Sequence, residues 1–172
     1  MERALRALFQ ETEQRLSRFG EDSELTQLNR RLGVWVDASP MLYEALRTAM
    51  KAWRKTGGTF DPRVAADLSR LGYGVAETGV ALTPPHPTLW LERRPRTRRI
   101  RLWAPVDLGG VGKSLAVLWG GQLVMPMMRE QQGGGIPAML INAGGACRCW
   151  APPYPSRTAG LLELSILGGP MP

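Results

Sequence analysis

Val106-Asp107-Leu108-Gly109-Gly110-Val111-Gly112-Lys113-Ser114 leads from an apolar, strand-like segment through three glycines and a lysine into the apolar run Leu115-Ala116-Val117-Leu118-Trp119. This reads as a strand turning into a helix. Gly109, Gly110 and Gly112 let the backbone come close to a ligand. Their N–H groups sit where a helix begins, and there the helix dipole favours an anion. Lys113 adds a mobile cation. Asp107 offers a carboxylate for a hydroxyl, a ring nitrogen or a metal-bound water. Together these groups suit a diphosphate. The spacing is neither that of the P-loop nor that of the dinucleotide fingerprint. From the residues alone, a phosphate site and a plain strand-to-helix turn are equal readings.

Upstream, apolar residues recur at helical spacing. Leu5, Leu8, Phe9, Leu16 and Phe19 predict a helix over Glu2 to Phe19, with Gly20 as its stop. Ser23 is placed to cap a short turn carrying Leu25 and Leu28. Val34-Trp35-Val36 predicts a short strand. Ser39-Pro40 starts a second helix, with Leu42, Ala45, Leu46, Ala49 and Trp53 on one stripe, ending at Thr56-Gly57-Gly58. Thr59-Phe60-Asp61-Pro62 then places one aromatic ring and one carboxylate in a short loop. That loop reads as a ligand wall or as a simple Asp-Pro turn.

Val64 to Leu71 predicts a further short helix, and Tyr73 to Pro87 a loop. His86, the only histidine, sits among the loop prolines Pro84, Pro85 and Pro87 and carries no catalytic expectation. Thr88 to Arg93 and Arg98 to Trp103 predict a hairpin around Pro95, with Leu89 and Leu91 facing away from Trp90 and Glu92.

In the helix after Lys113, Gly120-Gly121 and Pro126 are expected to weaken regular structure. Gly133-Gly134-Gly135 is expected to break it. Ala138 to Ile141 predicts a strand ended by Asn142-Ala143-Gly144-Gly145. A proline-rich tail follows Trp150, and Leu161 to Leu167 predicts a last strand. Helices come first and strands cluster later, so the fold class is α+β.

The chain has 172 residues and a formal net charge of +7. That length suits one domain with a real core or two small lobes, and a single domain is expected over residues 1–172. Arg93, Arg94, Arg96, Arg98, Arg99 and Arg101 concentrate the surplus charge. Such a run favours anionic partners or is simply a solvated hairpin. No stacking platform or groove motif accompanies it, so no nucleic-acid partner is expected. Cys147 and Cys149 cannot complete a four-ligand zinc site and are too close in sequence for an unstrained disulfide. They read as free thiols, consistent with a reducing compartment. No signal peptide or membrane span is evident, so the chain as given is expected to be cytoplasmic.

Four blocks occur in an order that resembles the FAD:protein FMN transferases, the ApbE-like family. They are Asp22-Ser23-Glu24-Leu25-Thr26-Gln27-Leu28-Asn29, Thr56-Gly57-Gly58-Thr59-Phe60-Asp61-Pro62, Asp107-Leu108-Gly109-Gly110-Val111-Gly112-Lys113 and Leu140-Ile141-Asn142-Ala143-Gly144-Gly145. The resemblance implies an α+β, T-fold-like domain and an FAD substrate with magnesium at the pyrophosphate. It also implies transfer of FMN to a threonine or serine of an acceptor protein, with release of AMP. It assigns Thr59, Phe60, Asp61, Asp107 and Lys113 to FAD, and the Gly110 carbonyl to magnesium. Phe19 resembles the aromatic that packs on the flavin nucleotide, and it equally reads as the end of the first helix's apolar stripe.

Some positions depart from the family pattern. Ser114 stands where the family has glycine, and Leu118 and Ala146 stand where it carries acids. The family's C-terminal region, with the Asp and Thr that complete the metal site, is expected to be missing beyond Pro172, and an N-terminal strand before Met1. Two readings therefore stay open: a flavin transferase, or a remnant that binds flavin nucleotide or serves as an interaction module without catalysis.

Overall fold

The computed structural model describes residues 1–73, 81–84, 86, 88–131, 138–150 and 162–165. Within these the fold is α+β, as the order of apolar patterns implies. The expected Gly133–Gly135 break, the tail from 151 to 161 and much of the loop before Pro87 lie outside the described residues. The chain divides into two compact units. Thr12–Gly112 forms a central unit, and Met1–Glu11 with Lys113–Pro172 forms a terminal one.

The first helix, α1 (Glu2–Leu16), begins in the terminal unit and ends in the central one. It stops three residues before Phe19, earlier than the apolar stripe predicted. Ser17 explains the stop: its hydroxyl accepts the Phe19 N–H at 3.2 Å, a local bond that competes with helical pairing. Phe19 is consequently 63% exposed and does not extend the core.

In the central unit, α2 (Glu24–Asn29) is capped as expected. The Ser23 hydroxyl accepts the Thr26 N–H at 3.0 Å and donates to the Ser17 carbonyl. The strand β1 (Val36–Asp37) is shorter and later than the predicted Val34–Val36. Helix α3 (Pro40–Lys55) starts on a Ser39 cap with proline at its first position and buries Leu42, Ala45, Leu46 and Ala49, the predicted stripe. Helix α4 (Ala65–Arg70) is short.

The hairpin β2 (Leu91–Arg94) and β3 (Arg99–Leu102) joins β1 in an antiparallel sheet of order β1-β3-β2. Leu91 lies opposite Leu102 and Arg93 opposite Ile100. Trp90 does not alternate with Leu91; both are buried, because β2 begins only after Trp90. Trp90 instead meets Trp53 of α3 edge-on, with ring centroids 6.4 Å apart.

In the terminal unit, α5 (Gly109–Gln131) continues from the central unit's last residues as one long helix, running through Gly120, Gly121 and Pro126. The expected weakening does not occur. Val124 and Met128 flank Pro126 and are buried in a cluster with Leu5, Val117, Met139 and Ile141. Packing on both sides outweighs the proline's local cost of about 3 kcal/mol.

A mixed sheet of order β5-β4-β6 completes the unit, from β4 (Met139–Ala143), β5 (Ala146–Trp150) and β6 (Leu162–Ser165). β5 was not foreseen. Gly144 and Gly145, at φ of 59° and 94°, turn β4 directly into it. A glycine pair with positive φ is a two-residue hairpin turn, so the feature expected to end a strand joins two. Cys147 and Cys149 are free and exposed on β5.

Candidate functional site

The glycine turn is held by residues far away in sequence. Asn29 is 2% exposed and grips Val106 twice: its Nδ2 donates to the Val106 carbonyl at 2.8 Å, and its Oδ1 accepts the Val106 N–H at 2.9 Å. The Asp107 N–H donates to the Pro62 carbonyl at 2.7 Å. Three of the four sequence blocks therefore meet in the central unit through bonds to two consecutive residues.

Phe60 closes on the turn from the other side. A Cβ built on Gly110 would lie 2.8 Å from the Phe60 ring. Glycine is needed here for the close approach of a ring. The loop that carries Phe60 is fixed at its start by Gly57 and Gly58, at φ of 59° and 89°, and by the Thr56 hydroxyl, which accepts the Phe60 N–H at 3.0 Å. Thr59 is exposed. Asp61 turns toward Arg63, accepting its backbone N–H at 2.9 Å and its guanidinium. That guanidinium holds the Asp61 carboxyl below its ordinary pKa.

Asp107 occupies the anion position at the start of α5. Its Oδ1 accepts the Gly109 N–H at 3.0 Å, and its Oδ2 takes Arg18 Nη1 at 3.0 Å, with side chains 11% and 20% exposed. The Val111 and Gly112 N–H groups both go to the Leu108 carbonyl. Among the described residues, the Gly110 N–H is left as the first-turn donor without an acceptor. The Arg18 guanidinium lies 4.6 Å from the centroid of the exposed Phe19 ring.

Thr59, Phe60, Asp61, Asp107 and Gly110 thus form one neighbourhood, and Phe19 joins it through Arg18. Lys113 belongs to the terminal unit. It is exposed, and its Nζ is 3.9 Å from where a Cβ on Gly144 would stand, which brings it to the glycine turn of the fourth block.

Arg18, Asn29 and Arg63 went unassigned in the sequence. Asn29 was recoverable as the last residue of a quoted block. Arg18 was not, because it pairs with Asp107 across 89 positions.

The close-approach glycines and the free Gly110 N–H fit a flavin nucleotide's phosphate. Magnesium fits less well. Gly110 offers one carbonyl, and among the described residues no group of three or more His, Cys, Asp or Glu could hold a metal ion. A hard dication takes several oxygen ligands, so these residues alone do not make a magnesium site.

The ApbE family model matches residues 1–159. Solved structures share the fold. The ApbE protein of Thermotoga maritima is 20% identical with a TM-score of 0.58, over 72% of this chain and 45% of that one. A single-residue variant of the flavin transferase ApbE of Vibrio cholerae is 18% identical with a TM-score of 0.66, over 86% and 52%. The apo form of the Pseudomonas stutzeri flavinyl transferase ApbE is 16% identical with a TM-score of 0.65, over 86% and 48%. The chain spans about half the length of these structures. No functionally curated protein is similar enough in sequence to match.

Proposed function

The chain belongs to the ApbE family, and from that premise we propose that it binds FAD and takes part in transferring FMN to a threonine or serine hydroxyl of an acceptor protein, releasing AMP. The observation that carries this reading is the convergence of Phe60, Asn29 and Pro62 on the Val106–Gly110 turn. We assign Phe19, Thr59, Phe60, Asp61 and Asp107 of the central unit to the flavin nucleotide. Lys113, in the terminal unit, is assigned to phosphate on its charge and exposure.

In the reaction the acceptor hydroxyl attacks the flavin-side phosphorus. The new bond is O–P, the bond from that phosphorus to the bridging oxygen breaks with its electron pair leaving on AMP, and the hydroxyl proton passes to solvent water. The described residues bind and orient in this scheme. The Gly110 N–H is free to take a phosphate oxygen, and Phe60 closes the site beside it. Asp61 and Asp107 are each held by an arginine and a backbone N–H, and the hydrogen bond from Arg63 keeps the Asp61 carboxyl below its ordinary pKa, which makes Asp61 a poor base. Magnesium, if bound, would supply charge neutralisation, but the described residues offer it only the Gly110 carbonyl and no carboxylate cluster, so no step is assigned to it.

That same pairing of carboxylates favours a second reading, a flavin-nucleotide-binding module without catalysis. Incubation with FAD, magnesium and a threonine-bearing peptide separates the two. Covalent yellow fluorescence on the peptide together with AMP supports transfer. FAD binding without transfer supports the module. Absence of both removes the flavin reading.

A further inference from the structure

Both cysteines of the chain stand on β5, which pairs on one side only, with β4, among the described residues. Packing on the inner face fixes which way β5 presents its side chains. Trp150 sits so close to α5 that a Cβ on Gly121 would overlap its indole, and the Arg148 guanidinium lies 5.3 Å from the Trp150 ring centroid. Arg148 and Trp150 therefore share one face of the strand, and Cys147 and Cys149 share the other. A slip by one residue would carry Trp150 away from α5, so the core holds the register that presents both thiols. Both thiols are free and exposed.

On that outer face Cys147 lies opposite Asn142 of β4, and Cys149 lies opposite Leu140. The Asn142 Oδ1 already accepts the Gly145 N–H at 3.3 Å, and Leu140 is apolar and half-buried. Among the described residues no group of three or more His, Cys, Asp or Glu could hold a metal ion. The donor set is thus two sulfurs and no third ligand.

Spacing decides what two such sulfurs can do. Same-face neighbours on a strand stand about 6.8 Å apart with their side chains side by side. A disulfide needs Cβ atoms about 3.5–4.5 Å apart, which β5 cannot offer while it stays paired with β4. A metal ion about 2.3 Å from each sulfur holds them about 4.6 Å apart in line, so each sulfur leans only about 1 Å toward the other. Zinc takes four ligands, and hard dications take oxygen. A soft monovalent ion is satisfied by two thiolates in line, and thiolate ligands select Cu(I).

We infer that Cys147 and Cys149 form a two-coordinate thiolate site for Cu(I). On binding, the two thiols give up their protons to solvent water and two Cu–S bonds form, with no change in oxidation state. The exposed face leaves the ion open to exchange with a thiol-bearing copper donor. The inference stands apart from the flavin reading, since neither cysteine is assigned to FAD.

The test titrates the reduced chain with Cu(I) under argon, in competition with bicinchoninate, whose Cu(I) complex is coloured. The chain should withdraw one Cu(I) from the chelator. Cys147→Ser and Cys149→Ser should each weaken binding at least about a hundredfold, because one of the two bonds to the ion is lost. Arg148→Cys/Cys149→Ser keeps two cysteines but sets them on opposite faces, and it should lose as much as Cys149→Ser alone. Zn(II) should bind at least about a hundredfold more weakly than Cu(I).

Failure of the unaltered chain to take Cu(I) from bicinchoninate overturns the inference. So does one ion per two chains, which would place the two sulfurs on different molecules. Retention of the ion by Arg148→Cys/Cys149→Ser overturns it as well, because the shared face would then be irrelevant. Zinc bound as tightly as copper overturns it in favour of a site with further ligands.

Discussion

Two glycine pairs lie on α5, Gly109-Gly110 in the central unit and Gly120-Gly121 in the terminal unit. Gly109 and Gly110 stand at the helix start. A Cβ there would meet the Asp107 carboxylate at 3.2 Å or the Phe60 ring at 2.8 Å. Both residues are exposed. The space they keep open is polar on one side, aromatic on the other, and reachable from solvent. Gly120 and Gly121 are buried mid-helix. A Cβ on Gly120 would stand 2.8 Å from Leu5 and 3.3 Å from Ile141, and one on Gly121 would overlap the Trp150 indole. Here the missing side chain lets a helix come close to a helix and a sheet. The same dipeptide therefore opens a site in one unit and closes a core in the other.

The contrast breaks first at Gly121. Alanine is the better helix former by about 1 kcal/mol, yet Gly121→Ala should destabilise the chain by about 3 kcal/mol, because Trp150 and its hairpin must shift. Urea unfolding measures this as a lower midpoint. A gain in stability would mean that the terminal core yields easily, and the two glycine pairs would no longer differ.

The next largest effect is expected at Arg18. Arg18→Gln leaves Asp107 largely buried without its cation and should cost about 2 kcal/mol. Asp107→Asn in the same chain should recover part of the loss, because the Gly109 N–H keeps an acceptor while the charge goes. Additive losses would show that the two side chains do not act as a pair.

A substitution at the other glycine pair tests function more than stability. Gly110→Ala pushes a methyl group against the Phe60 ring and should weaken FAD binding about tenfold, or about 1.4 kcal/mol. The unfolding midpoint should move little, because both residues lie near solvent. Quenching of flavin fluorescence reports the affinity. An unchanged affinity with a large loss of stability would make Gly110 a packing residue like Gly121.

Local chemistry was legible in the sequence and long-range pairing was not. The Ser23 and Ser39 caps, the α3 stripe and the β2–β3 hairpin follow from residues a few positions apart, so their side chains could be read directly. Gly120, Gly121 and Pro126 misled because their helical cost is local, whereas the compensation comes from Leu5, Ile141 and Trp150. β5 is not legible because Gly144-Gly145 reads as a strand end, whereas its two positive φ angles make it a turn. At the candidate site, the glycines and Phe60 were visible as types. Three sequence blocks converge through the bonds of Asn29 to Val106 and of Asp107 to Pro62, which periodicity cannot reveal. The Arg18–Asp107 pair was hidden in the same way.

The smallest effect separates the units by pH. Glu44, Asp61 and Glu92 all have pKa values below their ordinary ones, chiefly through hydrogen bonds from Arg47, Arg63 and Arg101, and all three lie in the central unit. A carboxyl whose folded pKa is depressed stabilises the fold fully above its unfolded value, about 4 for these side chains. The contribution fades as pH falls through that value toward the lower folded one. Acidification from pH ~5 to ~3 should therefore loosen the Asp61–Arg63 loop and the Glu92–Arg101 strand pair. Because each pair is partly exposed, the change should be a fraction of a kcal/mol per pair, about 0.5. Hydrogen exchange followed by region should show the amides of Phe60 to Arg63 losing protection before those of α5 between Val117 and Met128. Asp61→Asn should flatten the pH dependence at the loop and leave the α5 amides unaffected. If α5 opens first, the acid-sensitive element lies in the terminal core, and the carboxylates of the central unit are too well solvated to matter.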